Sequence, residues 1–204
     1  EFNAQTGANC SINVSLAVLT NDEFYDFVAH SLRDRANAKG ELMFEITDFS
    51  EQNFKEFAPA RGRYVDLGIK FALNSANKNN IPFLNAQPFD IVKIDRELCL
   101  DIGKKKNAIR TMVEITGKLK REFGFALGAQ GVENALSLRL LNNLKFNYLQ
   151  GNFIAKALDR REIDAFIAGF KDTPKLAAID KDEFISFLNA LDYKDLALKF
   201  IARG

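Results

Sequence analysis

Residues 89–95 read Phe89-Asp90-Ile91-Val92-Lys93-Ile94-Asp95. A short, nearly continuous apolar run of this kind fits a strand covered on both faces, the usual state of a parallel strand. Its polar exceptions, Lys93 and Asp95, sit at the carboxyl end, where parallel α/β proteins bind their ligands. Similar runs recur on both sides. Toward the N-terminus stand Ile69–Leu73, Leu42–Ile46 and a shorter strand-like stretch, Ser11–Ser15. Toward the C-terminus stand Phe125–Ala129 and a last short strand region within Asn147–Ile154.

Between the strands the apolar period changes from two to about 3.6. Thr20-Asn21-Asp22-Glu23 fits a capping box, and Phe24, Phe27, Val28 and Leu32 follow at helical spacing, with Gly40 closing the segment. A stretch holding Phe54, Phe57 and Leu67 is predicted to be helical in part and broken by Pro59. Asn74–Asn80 reads as a polar turn. Ile109, Met112, Val113, Thr116 and Leu119 mark one helix face, Ala135–Leu144 a second helix and Arg161–Phe170 a third. Strands alternating with amphipathic helices predict an α/β protein with a mainly parallel sheet. A (β/α) barrel and an open doubly wound sheet both fit. From Lys171 no strand follows. Asp180, Glu183, Phe184, Phe187, Leu188 and Leu191 predict terminal helices packed outside the sheet, so residues 1–170 are read as the barrel-like domain and 171–204 as a helical extension.

Composition narrows the function. The 204 residues carry 28 Lys+Arg against 27 Asp+Glu, a net charge of +1. That balance offers no basic face for nucleic acid and no attraction to an anionic membrane. No apolar run approaches the roughly 18 residues of a membrane span. Two distant cysteines, Cys10 and Cys99, make no disulfide framework and point to a reducing, cytoplasmic setting. The single His30 excludes a multi-His metal site. The 19 Phe residues point to an aromatic-rich core. No Gly-x-Gly-x-x-Gly follows a strand, and Lys104-Lys105-Lys106 reads as a solvated face.

The polar residues at the strand ends are Asn13, Glu45 with Asp48, Asn74 with Ser75, Lys93 with Asp95, Gln130 with Glu133, and Gln150. Singly, each can be a helix cap or a loop anchor. Asp48 could cap the segment after it, and Glu133 could sit in a first helical turn. As a set they are harder to assign to capping.

Five ordered segments resemble the EAL domain family of bacterial cyclic di-GMP phosphodiesterases. They are Asn13-Val14-Ser15, Glu45-Ile46-Thr47-Asp48, Phe89–Asp95, Gly131-Val132-Glu133 and Gln150-Gly151. The resemblance implies a TIM-type barrel whose active members use Mg²⁺ or Mn²⁺. It assigns Asn13, Glu45, Asn74 and Asp95 to metal-ligand positions. It gives Lys93 the lysine that orients water and phosphate, and it gives Glu133 and Gln150 ligand contacts. Gln130 falls where the family's proposed general base, a Glu, stands.

The departures from the family pattern decide the functional expectation. The family's Asp-Asp-Phe-Gly becomes Asn74-Ser75-Ala76-Asn77, so two metal-binding carboxylates are an amide and a hydroxyl. Hard divalent cations want charged oxygen ligands. The Gln130 amide cannot take a proton from an attacking water. No Glu-Ala-Leu motif, with its phosphate-holding Arg, stands in the twelve residues before Asn13. A barrel incomplete at its N-terminus is therefore expected, since a full one takes about 250 residues. The expectation is a catalytically inactive EAL-like domain that serves as a regulatory or protein-interaction module, with a protein partner or a second copy. It needs no cofactor, and cyclic di-GMP binding is weak or absent. The alternative is a non-hydrolysing cyclic di-GMP receptor. An active phosphodiesterase using Mg²⁺ or Mn²⁺ ranks last.

Overall fold

The computed structural model describes residues 8–33, 40–77, 80–86, 89–102 and 104–169. The predicted helices beyond Lys171 lie outside the described residues. In chain order the elements are β1 (Cys10–Val14), α1 (Leu16–Leu19), α2 (Asp22–Leu32), β2 (Leu42–Ile46), α3 (Phe54–Val65) and β3 (Ile69–Ala76). There follow a 3-10 turn (Ile81–Ala86), β4 (Ile91–Ile94), α4 (Arg96–Asp101), α5 (Lys106–Lys118) and a π-helical turn (Leu119–Phe123). Then come β5 (Ala126–Gln130), α6 (Ala135–Asn143), β6 (Tyr148–Gln150) and α7 (Arg160–Gly169).

The six strands form one sheet in the order β1-β2-β3-β4-β5-β6. The first three pairings are parallel, with Asn13 opposite Glu45 and Glu45 opposite Ala72. A doubly wound sheet reverses its strand order at a switch point. This sheet does not reverse, which selects the barrel-type topology from the two that the alternation left open.

The chain divides into two compact units. One is built on the residues up to Asp95 with Lys118–Gly128, the other on Arg96–Gly117 and the residues from Ala129. The first holds the aromatic core that the Phe count predicts. Phe44, Phe57, Tyr64 and Phe71 are almost fully buried. Phe57 stacks on Phe89 with centroids 4.3 Å apart, while Phe44 meets Tyr64 and Phe71 edge-on at 5.6 and 6.0 Å. Strand periodicity explains the sorting. Phe44 and Ile46 alternate with Met43 and Glu45, so the bulky rings take one face and the site residues the other.

Several boundaries differ from the sequence reading. The cap of α2 is Asn21, whose Oδ1 accepts from the Phe24 N–H at 2.9 Å, and Thr20 instead closes α1. Helix α3 runs through Pro59, because Phe57, Ala60 and Tyr64 are buried around it and hold the turn. Strand β3 extends to Ala76, past the expected turn at Asn74, because a bulge keeps it paired with β4.

Candidate functional site

The first unit brings together most of the residues singled out from the sequence. On the face opposite the aromatic rings, Met43, Ala72 and Ile91 form a small apolar cluster. Two residues beyond Met43 lies Glu45, and two beyond Ile91 lies Lys93, so both polar side chains rise from that apolar floor. The Lys93 Nζ donates to Glu45 Oε1. Only 11% of the Lys93 side chain and 7% of the Glu45 side chain remain exposed. Gly128 on β5 makes room for the lysine stem. A Cβ there would stand 2.8 Å from Lys93 Cγ, closer than packed carbons tolerate.

A second cluster surrounds Ser75. The β3–β4 register shifts between Leu73 and Ala76, and Ser75 takes the left-handed conformation at φ 72°. A bulge of this kind re-aims a side chain. Here the Ser75 Oγ donates to Asp95 Oδ2 at 2.5 Å. The Ser75 carbonyl accepts from Asn77 Nδ2 at 3.2 Å and Asn80 Nδ2 at 3.0 Å. Asn80, itself buried, also accepts from the Asn77 N–H at 2.9 Å. Beside them, Asn74 Nδ2 donates to Asn13 Oδ1 at 3.3 Å.

The second unit carries Gln130, Glu133 and Gln150. Gln130 ends β5 and is half-buried. Gly131 follows at φ 80°, with its α-carbon facing Arg96 and Leu100. The Arg96 Nη2 donates to Glu133 Oε1 at 3.4 Å, and both side chains are largely in solvent. Glu133 precedes α6 and does not sit in its first turn, and Asn134 caps the helix, its Oδ1 accepting from the Ser137 N–H at 2.8 Å. The Gln150 carbonyl accepts from the Val132 N–H at 3.0 Å. A Cβ on Gly151 would stand 2.2 Å from the Val132 carbonyl oxygen, so the Gln-Gly pair needs glycine for backbone approach.

One of the simpler assignments shifts. The Asp48 Oδ1 accepts from the Leu16 N–H at 2.8 Å, so Asp48 anchors the start of α1 and not the segment after it, where Asn53 is the cap residue of α3. Of the three consecutive lysines, Lys105 pairs with Asp101 at 2.6 Å, and that hydrogen bond raises its pKa.

The sequence alone does not mark Gly128, Arg96 or Asn80 as parts of these clusters. An isolated glycine inside a strand is a signal of close approach, and Gly128 fits it. Arg96 and Asn80 carry no such signal, since the one is an ordinary exposed arginine and the other one of several loop asparagines.

The donor set can be weighed against a pair of divalent cations. The carboxylate of Glu45 already has a cation, the ammonium of Lys93. Asp95 receives the Ser75 hydroxyl, and the Asn13 carbonyl receives the Asn74 amide. Among the described residues no three His, Cys, Asp or Glu side chains converge as metal ligands would. The residues present do not fit a two-cation centre, which requires several charged oxygens free to face the metals.

A sequential (β/α) sheet with polar residues at the carboxyl ends of its strands defines a barrel-type α/β domain. Residues 1–157 match the EAL domain family, and the chain belongs to that family, a bacterial family of cyclic di-GMP signalling. It is 22% identical over 165 residues to the cyclic di-GMP phosphodiesterase NbdA of Pseudomonas aeruginosa, covering 79% of this chain and 20% of that protein. The chain spans a fifth or less of the curated relatives it matches. Among solved structures, the EAL domain of Mycobacterium smegmatis DcpA superposes with a TM-score of 0.69 at 23% identity, covering 78% of this chain and 73% of that one. The EAL domain of Pseudomonas aeruginosa FimX bound to c-di-GMP gives 0.64 at 17%, covering 72% and 62%. These likenesses establish the TIM-type fold. Among the described residues no helix is long and apolar enough to cross a membrane.

Proposed function

We propose that this chain is a non-catalytic EAL domain that acts through protein contact, as a regulatory or dimerisation module in cyclic di-GMP signalling. The observation that carries the reading is the occupation of the retained carboxylates by the protein's own donors: Lys93 on Glu45 and Ser75 on Asp95. Hydrolysis of a phosphodiester by a metal-held water needs cations that acidify the water and a group that takes its proton. The amide at Asn74 and the hydroxyl at Ser75 supply no charge, and the Gln130 amide supplies no base. General-base catalysis alone contributes about 10²–10⁴-fold, so restoring one group leaves the other deficits in place.

The receptor reading is weaker on the same grounds. Lys93, the cation the family resemblance offers to a ligand phosphate, is buried and already paired. Calorimetric titration with cyclic di-GMP, with the mixture then resolved for linear dinucleotide, tests the proposal. Weak or no heat and no product are expected from the native chain and from Gln130→Glu alike. Saturation at low micromolar ligand without cleavage would replace the module by the receptor.

A further inference from the structure

We infer that the ammonium of Lys93 is this site's resident cation, the centre of a metal-independent staple joining the carboxyl ends of four strands. Three side-chain bonds make the staple. Lys93 to Glu45 links β4 to β2, Asn74 to Asn13 links β3 to β1, and Ser75 to Asp95 links β3 to the residue after β4. Each partner comes from a part of the chain 20 or more residues away, with separations of 48, 61 and 20.

The charges balance within the central pair. One ammonium meets one carboxylate, both nearly dry. Removing either partner from such a pair leaves an uncompensated buried charge, while replacing both by apolar groups is often neutral. The site is also shaped for the lysine. The space beside its stem exists only because residue 128 has no side chain. The Ser75 backbone is held left-handed, a costly conformation for a residue with a Cβ, with its carbonyl clamped by two asparagine amides. The bulge thereby turns the hydroxyl onto Asp95. A domain could be inactive and still hold a metal, so the staple adds to the non-catalytic reading proposed above.

The test uses the whole chain and Mn²⁺ as probe. The native protein is expected to show no Mn²⁺ binding by electron paramagnetic resonance and no change in Tm at about 1 mM Mn²⁺ relative to chelator. Lys93→Met is expected to lower Tm by roughly 10 °C, the double variant Glu45→Met/Lys93→Met to regain most of that loss. Saturable Mn²⁺ binding by the native chain would overturn the inference whatever the variants do. So would a double variant no more stable than Lys93→Met, because the two groups would then not be acting as a pair. If Lys93→Met does not fold, the Mn²⁺ measurement and the double variant still decide. Turnover of cyclic di-GMP is read separately, so loss of this inference leaves the non-catalytic reading to be judged by its own assay.

Discussion

Ser75 shows how one residue can carry two opposed terms. Its left-handed φ of 72° costs free energy, while its hydroxyl bonds the Asp95 carboxylate at 2.5 Å. Ser75→Ala keeps the strain and loses the bond, a hydrogen bond to a charged group worth about 1.5–3 kcal/mol. Ser75→Gly loses the same bond and relieves about 1 kcal/mol of strain. Urea denaturation is expected to rank the native chain above Gly and Gly above Ala. Ala equal to or more stable than Gly would show that the strain is not there. Tyr64 offers a second test. Its Oη donates to the Leu19 carbonyl at 3.0 Å, and burial raises its pKa. A raised folded-state pKa means stability is intact below the unfolded value and falls as pH climbs past about 10. Tyr64→Phe is expected to cost about 1 kcal/mol at neutral pH and to flatten that alkaline decline. An unchanged alkaline slope would contradict it. At this scale Glu45, Lys93 and Asp95 were legible as strand-end polar residues, but their partners were not. Left-handed backbone is most at home in glycine or asparagine, and reading Asn74–Asn80 as a polar turn singles out no one residue for it. The structure uses Ser75, whose long-range bond to Asp95 no local pattern reveals.

Among the described residues, apolar periodicity locates the strand cores, and tertiary packing sets the ends of the elements. Strand β3 outruns its apolar run by three residues because the bulge preserves pairing through Ala76. Proline in a helix interior costs about 3 kcal/mol, yet α3 continues across Pro59 because Phe57 and Tyr64 are both fully buried on that helix. The short helices α1 and α4 are too brief to show an apolar period. Glycines at strand ends have a different logic. Gly151 lies against the Val132 backbone, where an added Cβ would meet oxygen, nitrogen and carbon at 2.2, 2.3 and 2.6 Å. Backbone cannot step aside as a side-chain tip can. Gly151→Ala is expected to destabilise by about 1–3 kcal/mol, with hydrogen exchange accelerating at Val132 and Phe153, whose bonds flank the contact. A neutral Gly151→Ala would show that the close approach is not maintained in solution.

For the molecule as a whole, the ordered motifs and the strand–helix alternation were enough to specify a TIM-type α/β fold, and the family match over residues 1–157 bears that out. The chemical reading of the site rests on what the strand ends lack against the family pattern. Asn74 and Ser75 stand where the resemblance expects carboxylates, and Gln130 stands where it expects a base. What sequence could not convey is that the surviving carboxylates are claimed by Lys93 and Ser75, since such pairing depends on a register shift and a missing side chain at residue 128. The proposal that the chain is non-catalytic requires that these strand ends hold no phosphodiesterase centre. Its most direct test is a single-turnover assay, with the chain in excess over cyclic di-GMP and Mg²⁺ or Mn²⁺ present, resolved by chromatography after prolonged incubation. The nucleotide is expected to stay cyclic. Accumulation of the linear dinucleotide by the native chain, lost in Glu45→Ala, would contradict it.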